Sequence, residues 1–144
     1  MTRAGAVARI DALLGTVSNP TFKLIYFGEP LSVPTTPMCA FWIQSHDLDF
    51  ETLGDVSTTT TMTIQAYFPV LVNETLRETV EQDVWDAIVN IKTALRGDTD
   101  LNGQVTDSEI GSATTGFLDL SGNRFRVATI PFEIDMFGEY PITP

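Results

Sequence analysis

The chain has a single cysteine, a single histidine and few bases. Its 144 residues hold 8 lysines and arginines against 19 aspartates and glutamates, a formal net charge of −11. That surplus excludes a grip on nucleic acid by counterion release, which needs cations to displace. Two readings of the acidity stay open. It can keep a surface solvated, or it can line a channel that DNA passes without sticking, because like charge repels phosphates. Cys39 alone cannot form an intrachain disulfide, and a lone thiol commonly serves as a small buried apolar residue. A reducing compartment fits. Cys39 and His46 together are too few for a zinc set. No apolar run is long enough for a bilayer. Arg9 and Asp11 interrupt what would be the apolar part of a signal peptide in "MTRAGAVARIDALLG". The expectation is a soluble protein, made inside the cell, with no membrane partner.

Catalytic patterns are absent as well. The sequence has no G-x-x-x-x-G-K, no G-x-G-x-x-G and no G-x-S-x-G. Cys39 and His46 could pair on paper, but Cys39 falls in a hydrophobic strand with nothing to activate it. The acids are scattered, and no two stand out as an acid–base pair. The reading is a chain that is not an enzyme.

What is present is a core and a clear order of elements. The length suits one domain, taken as residues 1–144 with 138–144 as a loose tail. Residues 3–17 put Val7, Ile10, Leu14 and Val17 on one helical face, and Pro20 stops that helix. Residues 21–29 and 38–45 read as strands, separated by a loop, "PLSVPTTP", whose prolines lack donors. Residues 46–57, "HDLDFETLGDVS", read as an acidic loop. Residues 60–70 alternate, with Met62, Ile64, Ala66 and Phe68 on one face. From Glu74 to Arg96 a stripe of Leu76, Val80, Val84, Ile88, Ile91 and Leu95 marks a long amphipathic helix. Asn73 is its N-cap, and Gly97 is placed for a left-handed C-cap. Trp42 and Trp85 fall within apolar elements, which points to packing or an interface. Residues 116–137 read as a hairpin turning at Ser121-Gly122-Asn123, with Pro131 marking an edge or bulge. The predicted fold is α+β: a single mostly antiparallel sheet, an N-terminal helix and a long amphipathic helix on one face, and a C-terminal β-hairpin.

Residues 98–109, D-T-D-L-N-G-Q-V-T-D-S-E, match the twelve-residue calcium loop of an EF-hand. Asp98, Asp100 and Asn102 would give side-chain oxygens, Gln104 its carbonyl, and Glu109 two closing oxygens. Gly103 would make the sharp turn. The entering helix is there. The exiting one is not, because "EIGSATTGF" has two glycines, three hydroxyl residues and no apolar stripe. Asp, Asn and Gly are also what an ordinary turn prefers. A calcium site and a plain helix-to-strand connection both remain open, and no other cofactor is indicated.

The second half of the chain carries a resemblance. A helix ending in Ala94-Leu95-Arg96 leads to Leu101-Asn102-Gly103-Gln104-Val105. A hairpin follows with Gly122-Asn123-Arg124-Phe125-Arg126-Val127 and an alternating apolar strand. This layout, with the N-terminal helix and early strands, resembles the tail terminator proteins of long-tailed, siphovirus-like bacteriophages. The resemblance implies a structural virion protein. It would form a hexameric ring that caps the tail tube, stops its polymerisation and presents a docking surface to the head–tail connector. The implied partners are further copies of the chain, the major tail tube protein and the neck or connector protein. DNA would pass the bore unbound. The implied location is the neck-proximal end of the tail in the virion, after synthesis in the host bacterial cytoplasm. A head–tail connector, a tail-completion or tube protein, and a calcium-binding module using 98–109 are the alternatives. Loops 30–37, 46–57 and 97–115 are expected to make assembly contacts. Asp47, Asp49 and Glu51 lie in the second of these, which could equally be a solvated acidic loop. Arg124 and Arg126 could pair across subunits or within the chain.

Overall fold

The structure is a computed structural model that describes residues 2–139 apart from Leu53, Gly54 and Val72; for 49–52, 55, 56, 138 and 139 it gives the backbone course. The elements run α1 (Arg3–Gly15), β1 (Leu24–Phe27), β2 (Met38–Thr52), β3 (Asp55–Pro69), α2 (Glu74–Arg96), β4 (Asp107–Ile110), β5 (Thr114–Leu120) and β6 (Asn123–Glu139).

Both helices follow from their caps and periods. The Thr2 hydroxyl accepts from the Gly5 N–H and starts α1, which buries Ala6, Ile10, Leu13 and Leu14. The Asn73 side chain accepts from the N–H groups of Thr75 and Leu76 and starts α2. Glu74 in the first turn and Arg96 in the last complement the helix dipole. α2 buries Val80, Val84, Ala87, Ile91 and Leu95, while Leu76 overhangs the core and is exposed. Gly97 closes α2 in the right-handed region at φ −72° instead of the expected left-handed cap. The left-handed residues come later, at Leu101, Asn102 and Gly103.

The fold is α+β with one six-stranded sheet in the order β1-β2-β3-β6-β4, and β5 pairs with part of β6. The sheet is mostly antiparallel, as expected, with one parallel pair: β1 runs parallel to β2, with Leu24 beside Met38 and Phe27 beside Phe41. Parallel neighbours require the chain to cross back over a face of the sheet. Residues 28–37 make that crossing. Val33 packs there against Met38, Ala40, Tyr67, Phe125 and Val127, and the Ser121 hydroxyl donates to the Leu31 carbonyl at 2.9 Å. The helices cover the other face, where α1 and α2 meet Cys39, Phe41, Ile64, Ala66, Phe68, Ile130 and Phe132 in the main core.

The last strand is more than one arm of a hairpin. β6 meets β5 from Asn123 to Thr129 through a tight turn at Ser121-Gly122, then β4 over residues 132–135. Along its other edge it pairs with β3 from Phe125 to Glu139. Pro131 falls where one edge changes partner from β5 to β4, and its carbonyl accepts from the Gly111 N–H at 2.8 Å. The expected acidic loop over 46–57 is corrected: β2 runs on to Thr52 and β3 starts at Asp55, paired strands of 15 residues each, with Leu53 and Gly54 outside the described residues. Gly138 and Glu139, expected in a loose tail, end β6, and residues 140–144 lie outside the described residues. Among the described residues, no helix is long and apolar enough to cross a membrane.

Candidate functional site

The far halves of β2 and β3 and the end of β6 form a three-stranded leaf. Cross-strand register fixes its two faces, because residues directly opposite one another share a face. One face carries the rows Leu48–Thr58–Met136 and His46–Thr60–Ile134. The next row toward the core is Ile43–Met62–Phe132. A bulge at Gln44 adds one residue between Ile43 and Ser45, so Ile43 and His46 share that face despite their odd spacing. His46 Nδ1 lies 2.7 Å from the Thr60 hydroxyl. Ile43 and Leu48 remain exposed. Between this face and Ala6, Val7 and Ile10 of α1 lies an apolar groove of about 790 Å³, with Arg3 on its rim.

The opposite face of the leaf is hydroxylated and acidic. Its rows are Asp47–Thr59–Asp135–Asp107 and Ser45–Thr61–Glu133–Glu109. Asp107 faces Asp135 and Glu109 faces Glu133, carboxylate against carboxylate. Such like-charge pairs destabilise a sheet. The Thr59 hydroxyl offsets part of this by donating to Asp135 at 2.9 Å. The leaf is therefore amphipathic: its apolar side is buried at Thr58, Met62, Ile134 and Met136 and exposed at Ile43 and Leu48, and its other side is acidic.

The calcium-loop residues are placed otherwise than an EF-hand needs. Arg9 donates to Asp98 at 2.6 Å, and the other Asp98 oxygen accepts from the Asn102 N–H at 3.0 Å. These two donors, the arginine first, hold the Asp98 carboxyl below its ordinary pKa. The Gln104 side chain lies against the first turn of α1, where Gly5 leaves room for it. Leu101 and Val105 are buried in the main core, so the loop is a plug whose apolar residues fill the gap under α1. The chain leaves it as strand β4, and Glu109 goes with that strand to stand opposite Glu133. Asp100 and Asn102 are exposed. Among the described residues, no group of three or more His, Cys, Asp or Glu side chains is arranged to hold a metal ion.

The remaining predicted residues separate. Arg126 grips Glu81 of α2 at 2.6 Å and donates to the Gly116 carbonyl at 3.0 Å, so it joins β6 to α2 within one chain. That hydrogen bond lowers the Glu81 pKa and raises that of Arg126. Arg124 lies 3.9 Å from Asp119 with both side chains exposed. Both guanidiniums sit against the exposed Phe117 ring, at 4.9 and 5.0 Å from its centre. Asp47 is exposed on the acidic face, and the side chains of Asp49 and Glu51 lie outside the described residues. Cys39 is fully buried, and burial raises its thiol pKa far above the usual range. His46 lies seven residues further along β2, roughly 23 Å at about 3.3 Å per residue, so the two do not form a pair.

Sequence reasoning missed the groove, and it left Trp85 open between packing and an interface. Trp85 is 74% exposed, and Val89, one turn on, is exposed beside it. The signal for the groove was present in the alternation of His46 and Leu48 with Asp47. No protein-family model matches this chain, and no curated protein matches it either.

Proposed function

We propose that this chain is a structural virion protein of a long-tailed bacteriophage, a tail terminator whose copies form a ring on the finished tail tube. The observation that carries the reading is the amphipathic leaf. Its apolar side ends in the exposed Ile43 and Leu48 at the mouth of a groove, and exposed apolar area of this kind marks interaction sites. Its acidic reverse suits the wall of a bore, where carboxylates repel passing phosphates. The resemblance in residues 74–137 supports the same role. In this reading the ring is hexameric, stops growth of the tube, and docks the head–tail connector on its outer end. The chain has no catalytic task, holds no obligatory cofactor and works without a membrane.

The runner-up is another ring of the same machine, a tube, tail-completion or connector subunit, because an exposed apolar patch would serve any of them. Native mass spectrometry with negative-stain imaging of the purified chain separates the two classes. A closed ring with a central bore is the expected particle. Open-ended tubes that lengthen with concentration would assign the chain to the tube instead.

A further inference from the structure

We infer that Trp85 of one copy inserts into the groove between α1 and the leaf of the next copy, so that the ring is built from head-to-tail contacts. The inference rests on the ring reading and names the contact that would make it. Trp85 projects from α2 at 74% exposure with Val89 beside it. An aromatic of that size has about 150–250 Å² to bury, and burial of large aromatics dominates interface energetics. The groove, about 790 Å³ and lined by Val7, Ile43, Leu48 and Met136 among others, has room for the indole and its neighbour.

Charge selects a second copy as the occupant. Two chains of net charge −11 repel unless the contact places a base against acids. The knob is acidic: between Glu74 and Asp86, α2 carries five carboxylates, of which Arg126 already answers Glu81, and one arginine. The groove is the complement. Among the described residues Arg3 is the one lysine, arginine, aspartate or glutamate that lines it, and Arg3 forms no ion pair among them. The first turn of α1 contains no acid, so the positive end of that helix dipole also faces the groove without a counter-charge. No residue of α2 lines the groove. Knob and groove are separate patches, and separate complementary patches join copies head to tail, which closes into a ring when the rotation permits.

Two variants of the full chain test this. Trp85→Ala removes the knob, and Ile43→Glu spoils the groove. Both sites are more than half exposed, so melting temperatures should stay near wild type. Particle masses are then measured by analytical ultracentrifugation over a concentration series. Wild type should assemble into rings, and each variant alone should associate at least about thirtyfold more weakly, the effect of losing a hot spot. Mixing the two variants should give dimers and nothing larger, because one intact knob meets one intact groove. Rings that survive both substitutions would overturn this contact while leaving the ring reading in place. A mixture that stays monomeric would overturn it as well. A wild type that stops at a dimer would mean reciprocal exchange of knobs instead of a ring. A wild type that stays monomeric throughout would count against both readings.

Discussion

Arg9 of α1 and Asp98, two residues past the end of α2, meet at 2.6 Å. The first helix and the loop after the last one are thereby a single unit, with Leu101 and Val105 buried beneath it. This arrangement explains an acid at the first position of an apparent calcium loop. Its charge is already answered by an arginine, and its second oxygen caps the turn.

Replacing Asp98 with alanine should therefore cost about 1–2 kcal/mol, the loss of a capping hydrogen bond and a partly exposed ion pair. In a chain of this length that corresponds to a fall in Tm of roughly 3–8 °C. The pH dependence has a definite sign. The folded-state pKa of Asp98 is depressed, so its contribution is complete above the unfolded value of about 3.9 and is lost as pH falls through the folded value. Thermal melts of wild type and Asp98→Ala should converge below about pH 4. A constant gap down to the lowest pH would show that the carboxylate's charge is not the source.

Calcium should have little effect on the folded chain. To bind it, Asp98 would have to leave Arg9, and Glu109 would have to leave its place opposite Glu133. Millimolar calcium is expected to leave Tm within error of an EDTA control. A rise that Glu109→Gln abolishes would show instead that the loop reorganises around the ion, by mass action on the folded state.

Leu101 is fully buried at a positive φ of 49°. Leu101→Ala should destabilise by about 2–5 kcal/mol through the cavity it leaves. Asn102→Gly, at φ 57° and exposed, should be neutral or slightly stabilising, since glycine accepts that backbone freely. Urea denaturation of the two variants checks the contrast. Equal losses would mean that the loop is held by its backbone alone.

The acidic face of the leaf predicts the opposite of an ordinary surface mutation. Glu133→Gln removes one member of a facing carboxylate pair and should stabilise the sheet by about 0.2–1 kcal/mol. The gain should shrink at high salt, where the repulsion is screened. Glu109→Lys with Glu133→Lys should make DNA stick to assembled rings, read as retention in a filter-binding assay. Rings that ignore DNA after this reversal would remove the acidic face from the bore.

Some of this was legible in the residues and some was not. α2 could be bounded from its stripe and cap alone, because a 3.6-residue period over 23 residues has no strand equivalent. The leaf was hidden by its composition. His46 and Leu48 alternate with Asp47 as a strand should, yet the density of acids imitates a solvated loop. The parallel placement of β1 could not be read, because it depends on residues 28–37 crossing the sheet, and no local signal fixes the direction of return. Trp85 was hidden for another reason. It adjoins Val84 in the apolar stripe of an amphipathic helix, and the packing of Val84 and Ala87 turns it outward.

The most direct test of the account is electron microscopy of lysates from the encoding phage with this gene disrupted. The account predicts overlong, headless tail tubes beside filled heads. Tails of normal length joined to heads in infectious particles would contradict it.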